Sequence, residues 1–373
     1  MTGSSRVLVA GAGIAGLATA KVLHDLGWAV DVVERRRDFL GTPTGLFLPA
    51  NGMRAFAALG AAAALRSCGS EITRLRLRAA GSSAEGEADL ALVWPGAGPS
   101  LAIGRAAAQQ ALLEWCPVAV RPDISVDGLK LASDRVEVTL SAGTMEEYDL
   151  VVGADGAHST VRRLAWPDVS ARYAGECWWR GVVACPAGLR EWDACLCQEG
   201  TFLAMPIGGG LAYWVAGGYS AQQAGDSLAG RAARVRERFG DAGGVHSQVL
   251  DQVHDDSLVQ YSPADEVWVE HPVRGRVVLL GDAAHATTPS MAQGAAMAAE
   301  DALVLGRELA VAPRVDEGLE RYACRRAPRT RYVQETTGMR NRLAAMPLSD
   351  RLGVIAQWAN LSEQSFAALV PEP

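Results

Sequence analysis

The sequence predicts an α/β fold in which a parallel sheet is interleaved with a smaller mixed β-sheet domain and closed by C-terminal helices. Three observations predict it. The chain opens on a strand–helix–strand pattern. Two later runs, Leu150-Val151-Val152 and Val277-Val278-Leu279-Leu280, are continuously apolar, as strands covered on both faces must be. Between them lies a stretch of aromatic and alternating residues with a glycine hairpin signal. With 373 residues the chain is long enough for one large or two interleaved domains.

Taken in order, Arg6–Ala10 reads as a buried strand, Gly11–Leu26 as a helix entered through glycines and stopped by Gly27, and Ala29–Glu34 as a second strand. Asn51 is expected to cap a helix running to Leu59, with Gly60 beyond it. Residues Arg105–Trp115 form a helix stopped at Pro117. The segment 79–100, rich in Gly, Ser and Ala, reads as linker-like with a strand at Leu90–Val93. Val136, Val138 and Leu140 alternate with polar residues, the period of a half-exposed strand. From Tyr173 to Tyr261 tryptophans cluster, and Gly208-Gly209-Gly210 marks a hairpin. Gln293–Leu309 and Glu317–Leu343 read as helices, and apolar spacing over 352–370 predicts a docked helix.

Composition narrows the function. The formal net charge is −7 and the longest basic block is Arg35-Arg36-Arg37, which excludes a nucleic-acid surface. The opening Met1–Ser5 run lacks the charged and apolar regions of a signal peptide, and no apolar run is long enough to span a membrane. Seven cysteines, an odd count with no C-x-x-C, fit reduced thiols and a cytoplasmic protein. Cys195 and Cys197 would share a strand face, but no second Cys/His pair supports a metal.

Three motifs carry chemistry. Gly11-Ala-Gly13-Ile14-Ala15-Gly16 sits between a strand and a helix, a Rossmann-like arrangement. Gly11 permits the turn, Gly13 lets backbone approach a pyrophosphate, and Gly16 allows close packing. Glu34 follows Gly11 by 23 positions (34 − 11 = 23), where a carboxylate accepts from ribose hydroxyls and repels a 2′-phosphate. The ligand is therefore FAD or NAD at this site, not NADP. The second motif, Val152-Gly153-Ala154-Asp155-Gly156-Ala157-His158-Ser159, is a strand, an acidic turn and a helix that Ser159 can cap. The third, Leu280-Gly281-Asp282-Ala283-Ala284-His285 through Pro289 to Gly294, ends a strand in a carboxylate and starts a helix whose positive end suits a reduced flavin ring.

Together GAGIAG with Glu34-Arg35, GADGAHSTVRR and GDAAHATTPSMAQGAAMAAEDA resemble the group A flavoprotein monooxygenases, the p-hydroxybenzoate hydroxylase-like aromatic hydroxylases, over about residues 6–345. Gly45–Asn51, Ile103-Gly104-Arg105, Trp179-Arg180-Gly181-Val182, Met205-Pro206, Tyr213-Trp214 and Arg326-Ala-Pro-Arg329 add to the match. The resemblance implies a GR2-type FAD-binding domain over 1–70, 101–172 and 271–373, with C-terminal helices, and a substrate domain over 71–100 and 173–270. It implies that Gly11, Gly13, Ile14, Ala15 and Gly16 hold the pyrophosphate, with Glu34 and Arg35 at the adenosine. Arg105 would contact FAD, Asp155-Gly156 would serve FAD and NAD(P)H, Gly281-Asp282 the ribityl chain, and Gly294-Ala295 flavin O2. Pro289 would stand where oxygen reacts.

The implied activity uses FAD, NADH or NADPH and O₂, through a flavin C4a-hydroperoxide, to hydroxylate a small aromatic or electron-rich substrate held in the 45–52 and 173–219 regions. The partners are that substrate and O₂, with no nucleic acid and no membrane, in a monomer or homodimer. Epoxidation, Baeyer–Villiger insertion, an oxygen-independent dehydrogenase and a flavin binder without turnover stand as alternatives. Tyr213 is read as a substrate-facing phenol or as sheet packing. Arg180 is read as an anion partner or as the partner of a neighbouring carboxylate. His285 is read as part of the turn rather than as a base.

Overall fold

The computed structural model describes residues 5–41, 43–141, 143–223 and 225–373. The opening run 1–4, part of the segment inspected for a signal peptide, lies outside them. A six-stranded sheet runs in the order Val273–Arg274, Val277–Leu279, Leu150–Gly153, Arg6–Ala10, Ala29–Glu34, Val120–Pro122. Its pairs are parallel except the outermost, Val273–Arg274 against Val277–Leu279. The three apolar runs of the sequence are adjacent at its centre, and Val7, Leu8 and Val9 register with Leu150, Val151 and Val152. Helices Ile14–Asp25, Arg105–Trp115 and Gly294–Val311 cover one face, and the three-stranded sheet of Val126–Leu131, Val136–Leu140 and Met145–Tyr148 covers the other.

A seven-stranded mixed sheet takes its strands from residues 74–89 and 172–266. All of its pairs are antiparallel except Trp192–Cys197 beside Arg74–Ala79. The glycine run Gly208-Gly209-Gly210 connects Gly200–Pro206 to Leu211–Tyr219, each glycine at positive φ. On Arg172–Ala184, the alternate residues Glu176, Trp178 and Arg180 face one side, while Cys177 and Trp179 face the other.

Three expectations are corrected. Leu90–Val93 is a short helix, not a strand; the Asp89 carboxylate accepts from the Ala91 amide and caps it. Local apolar content cannot separate four buried helical residues from a strand. Asn51 lies inside helix Ala50–Ala58, whose cap position is Pro49, and its amide is used in a buried contact instead. The tail forms two helices, Leu348–Ala356 and Trp358–Phe366, not one. Both lie against the strands Arg74–Ala79 and Glu85–Asp89, where Trp358 Nε1 donates to the Leu75 carbonyl (3.2 Å).

Candidate active site

Construction begins at the first glycine turn. Gly11 adopts φ +103°, and a Cβ there would stand 2.4 Å from the carbonyl oxygen of Ala154, just past the end of the neighbouring strand. A Cβ on Gly16 would lie 1.8 Å from the Gly11 oxygen. These two glycines let the turn close on itself. Gly13 differs, because a Cβ there would meet nothing within 4 Å. Gly13 is also the cap residue of Ile14–Asp25, and no side chain caps that helix, so its first amides point at open space. Glu34 is held at the end of its strand by amides, accepting from Ala12 (3.1 Å) and Arg36 (2.9 Å).

The other motifs converge on this turn. A Cβ on Gly281 would sit 3.1 Å from the Ala15 side chain, so the third motif lies directly against the first helix. Asp282 is exposed, and a Cβ on Gly294 would be 3.7 Å from its Oδ1. The helix beginning at Gly294 also lacks a side-chain cap. Asp155 behaves otherwise. Its carboxylate accepts from the Ser159 hydroxyl and from the Thr160 (2.7 Å) and Val161 (3.2 Å) amides, so it caps Thr160–Ala165. Burial pushes its pKa up against those hydrogen bonds. Ser159 accepts from the Arg162 amide (2.9 Å), as a cap does.

One cavity of about 1090 Å³ joins these pieces. The first helix and its turn supply Gly11, Gly13, Ile14 and Ala15, and the second strand supplies Glu34 and Arg35. Arg105, Asp155, Gly156 and Asp282 continue the wall, followed by Pro289, Gly294 and Ala295. Its far side is the seven-stranded sheet, where Arg180 and Tyr213 line it. Gly16 and Gly281 are the two expected residues outside the lining; they shape the turns behind it. The volume slightly exceeds the roughly 300–1,000 Å³ of ordinary ligand pockets. The uncapped amides at Gly13 and the open space beside it fit a pyrophosphate.

The family model described as FAD binding domain matches residues 4–337, nearly the whole of this cavity's framework. The chain belongs to the group A flavoprotein monooxygenases. Its cofactor is FAD. The flavoprotein is 32% identical to the aurachin C monooxygenase/isomerase of Stigmatella aurantiaca, over 98% of this chain and 92% of that one. It is also 32% identical to the 2-heptyl-3-hydroxy-4(1H)-quinolone synthase of Pseudomonas aeruginosa, over 90% of this chain and 89% of the relative. Its fold matches Klebsiella pneumoniae HpxO complexed with FAD and uric acid at TM-score 0.87 and 24% identity, covering 99% and 96% of the two chains.

In this flavoprotein the sheet wall of the cavity holds Tyr213 and Arg180, which the motifs announced, and Glu176, which they did not. Tyr213 is buried with its ring against Gly45, where a Cβ would stand 2.4 Å from the ring's Cγ. Burial pushes the phenol pKa up, and the Arg180 and Arg105 charges oppose that. Arg180 Nη1 donates to Ser262 Oγ (2.7 Å), and no described carboxylate pairs with it. Glu176 is 1% exposed and lines the same cavity, accepting from Trp178 Nε1 (3.1 Å) and Ser290 Oγ (3.4 Å). With its amide nitrogen turned inward, Asn341 donates to Glu176 Oε1 (2.9 Å). Arg340 Nη1 holds the Ser290 carbonyl (2.9 Å), so the turn after Pro289 is gripped from two sides.

Behind the site, His285 bonds Asp301 (2.7 Å), outside the large cavity. Arg326 reaches Asp301 (2.7 Å) and Glu300 (2.8 Å), and Arg329 reaches Glu300. Asn51 bonds Gln293 (2.9 Å) and Glu300 (3.0 Å). This buried network sets the start of helix Gly294–Val311. Its members fall in segments the sequence marked, Gly45–Asn51, the third motif and Arg326-Ala-Pro-Arg329, but nothing local in them shows that they meet. Among the described residues no group of three His, Cys, Asp or Glu is placed to hold a metal. No described helix is long and apolar enough to cross a membrane.

Proposed function

We propose that the protein is an NAD(P)H-dependent monooxygenase that hydroxylates an electron-rich aromatic or heteroaromatic ring. The observation that carries this reading is the single cavity running from the uncapped glycine turn, past Asp282 and Pro289, to the Tyr213–Arg180 wall. Bound there, FAD supplies acceptance of hydride from NADH or NADPH and activation of O₂. The protein's own groups do the rest. Gly13 and the first helix hold pyrophosphate, Glu34 the adenosine ribose and Asp282 the ribityl hydroxyls, with Arg35 and Arg105 along the dinucleotide. Gly294 and Ala295, at an uncapped helix start, offer N–H groups to negative charge on the reduced ring. Asp155-Gly156 shapes the middle of the cleft by capping the next helix.

On the other side, Tyr213 donates to a substrate hydroxyl or carbonyl, Arg180 balances developing negative charge, and Pro289 frames the place where ring and substrate meet. The apolar sheet keeps out water, which would otherwise divert activated oxygen to H₂O₂. The reading divides the chain into 1–70, 101–172 and 271–373 for FAD and 71–100 and 173–270 for substrate. Seven free thiols fit the cytoplasm. One relative is named a 2-heptyl-3-hydroxy-4(1H)-quinolone synthase, which places quinolones beside phenols as first substrates to try.

Purified protein is expected to be yellow with FAD. With a productive ring it should consume NADH or NADPH and O₂ together, faster than without it. Turnover that persists without O₂ would replace this reading with a dehydrogenase. A colourless protein that takes up no FAD would remove it.

A further inference from the structure

The cavity does not end at Tyr213 and Arg180. It continues across the seven-stranded sheet to Leu77 on Arg74–Ala79 and Leu196 on Trp192–Cys197. In sheet order these strands stand three places beyond those bearing Tyr213 and Arg180 respectively, roughly 14 Å at about 4.8 Å per strand. The roof of this extension is the pair of C-terminal helices, through Val354, Trp358 and Leu361. Trp358 stacks on Trp192 with centroids 6.1 Å apart. The four acidic residues lining the cavity, Glu34, Asp155, Glu176 and Asp282, belong to none of these walls. The cation beside them, Arg351, is turned to backbone, donating to the Cys197 (3.1 Å) and Gly200 (3.5 Å) carbonyls. The rim is apolar as well: Met339 and Leu343 line the cavity yet are 56% and 42% exposed.

An apolar chamber of this kind costs the fold contacts that its walls would otherwise make, and such spaces take up apolar guests. A ring held at Tyr213 would fill only the near part. Resting on the hydroxylase reading above, we infer that the extension is a subsite for an apolar arm, an alkyl substituent carried by the aromatic substrate. The ring lies at Tyr213 and Arg180, and the arm runs between the sheet and the two C-terminal helices.

The test uses the FAD-loaded protein and two probe series, 2-alkyl-4(1H)-quinolones and 4-alkylphenols, each from methyl through propyl, pentyl and heptyl to nonyl. Binding is read from the perturbation of flavin absorbance, and turnover from NAD(P)H and O₂ consumption. Dissociation constants are expected to fall about threefold to fourfold per methylene until the chamber is filled, then to level off. Leu196→Trp fills the chamber from the sheet, and Val354→Trp fills it from the helices. Each should cut the nonyl-to-methyl affinity ratio at least tenfold, with FAD content and melting temperature confirming the fold. Two independent sites keep the test open where one variant does not fold. Affinity that does not change with chain length in the wild-type protein would overturn the subsite, as would an unchanged chain-length slope in the filled variants. A steep slope without oxygen-dependent turnover would leave the chamber standing and remove the hydroxylase reading. Turnover with a flat slope would do the reverse.

Discussion

Single residues in the site are set by what their neighbours leave room for. Tyr213 lies on Gly45 with no space for a methyl group, so Gly45→Ala must push the ring or the strand aside. The expected cost is about 1–3 kcal/mol of stability, read by urea denaturation, with a larger loss in kcat/KM than in FAD affinity. Tyr213→Phe keeps the packing and removes one hydroxyl. It should lower kcat/KM about tenfold, the value of one hydrogen bond, and leave the melting temperature unchanged. Glu176 carries a pH signature. Burial raises its folded pKa above the ordinary 4.5, so the fold favours the protonated form. Its contribution is therefore most favourable below that ordinary value and is lost as pH rises through the raised one. Glu176→Gln should raise the melting temperature more at alkaline than at acid pH; equal shifts at both would contradict this account.

Elements meet closely where glycine or paired charge allows it. Helices Ile14–Asp25 and Gly294–Val311 cross at Gly306, where a Cβ would stand 2.1 Å from Val22 Cγ1. Gly306→Ala is expected to cost about 1–3 kcal/mol, and Val22→Ala in the same chain should restore part of it. Helices Gly294–Val311 and Val315–Ala344 are joined by Arg326 across Glu300 and Asp301, both fully buried. Removing the guanidinium takes an ion-pair partner from two buried carboxylates, leaving Glu300 to Arg329 and Asp301 to His285, so Arg326→Ala should cost about 3 kcal/mol in denaturation and release FAD with it. Asp301 shows the opposite sign to Glu176. Its pKa is drawn down from 3.8 to about 2 by His285 and Arg326 against its burial. That stability is present above the ordinary value and is lost as pH falls through the depressed one. Acid unfolding should steepen in that window, and Asp301→Asn should flatten it.

At the scale of the whole molecule, two sheets share one cavity, and the chain crosses between them to build it. The last two helices reach the second sheet, and the closing residues are tied back by Arg54 and Arg329, which donate to the Val370 and Leu369 carbonyls (2.7 Å each). The cavity joins pieces far apart in sequence, so FAD bound there should stabilise the fold as a unit. At a hundredfold excess over its dissociation constant the gain is about 2.7 kcal/mol, visible as one cooperative thermal transition moving upward. Two separate transitions, with only one sensitive to FAD, would show that the sheets unfold independently.

The sequence by itself determined what is local: the glycine turn, the acid ending the second strand, Ser159 as a cap, and the doubly covered strands at the centre of the first sheet. Each depends on backbone sterics or on a burial period that neighbouring residues already express. Tertiary structure alone decided that Asn51 and Arg326 serve a buried network and that Glu176 meets Ser290 and Asn341 beside Pro289. It also decided that the final helices roof an apolar extension of the cavity. Those outcomes depend on contacts such as Asp301 with Arg326 and Asn51 with Glu300, 25 and 249 positions apart, and no local period of hydrophobicity records which distant charge or surface a side chain will meet.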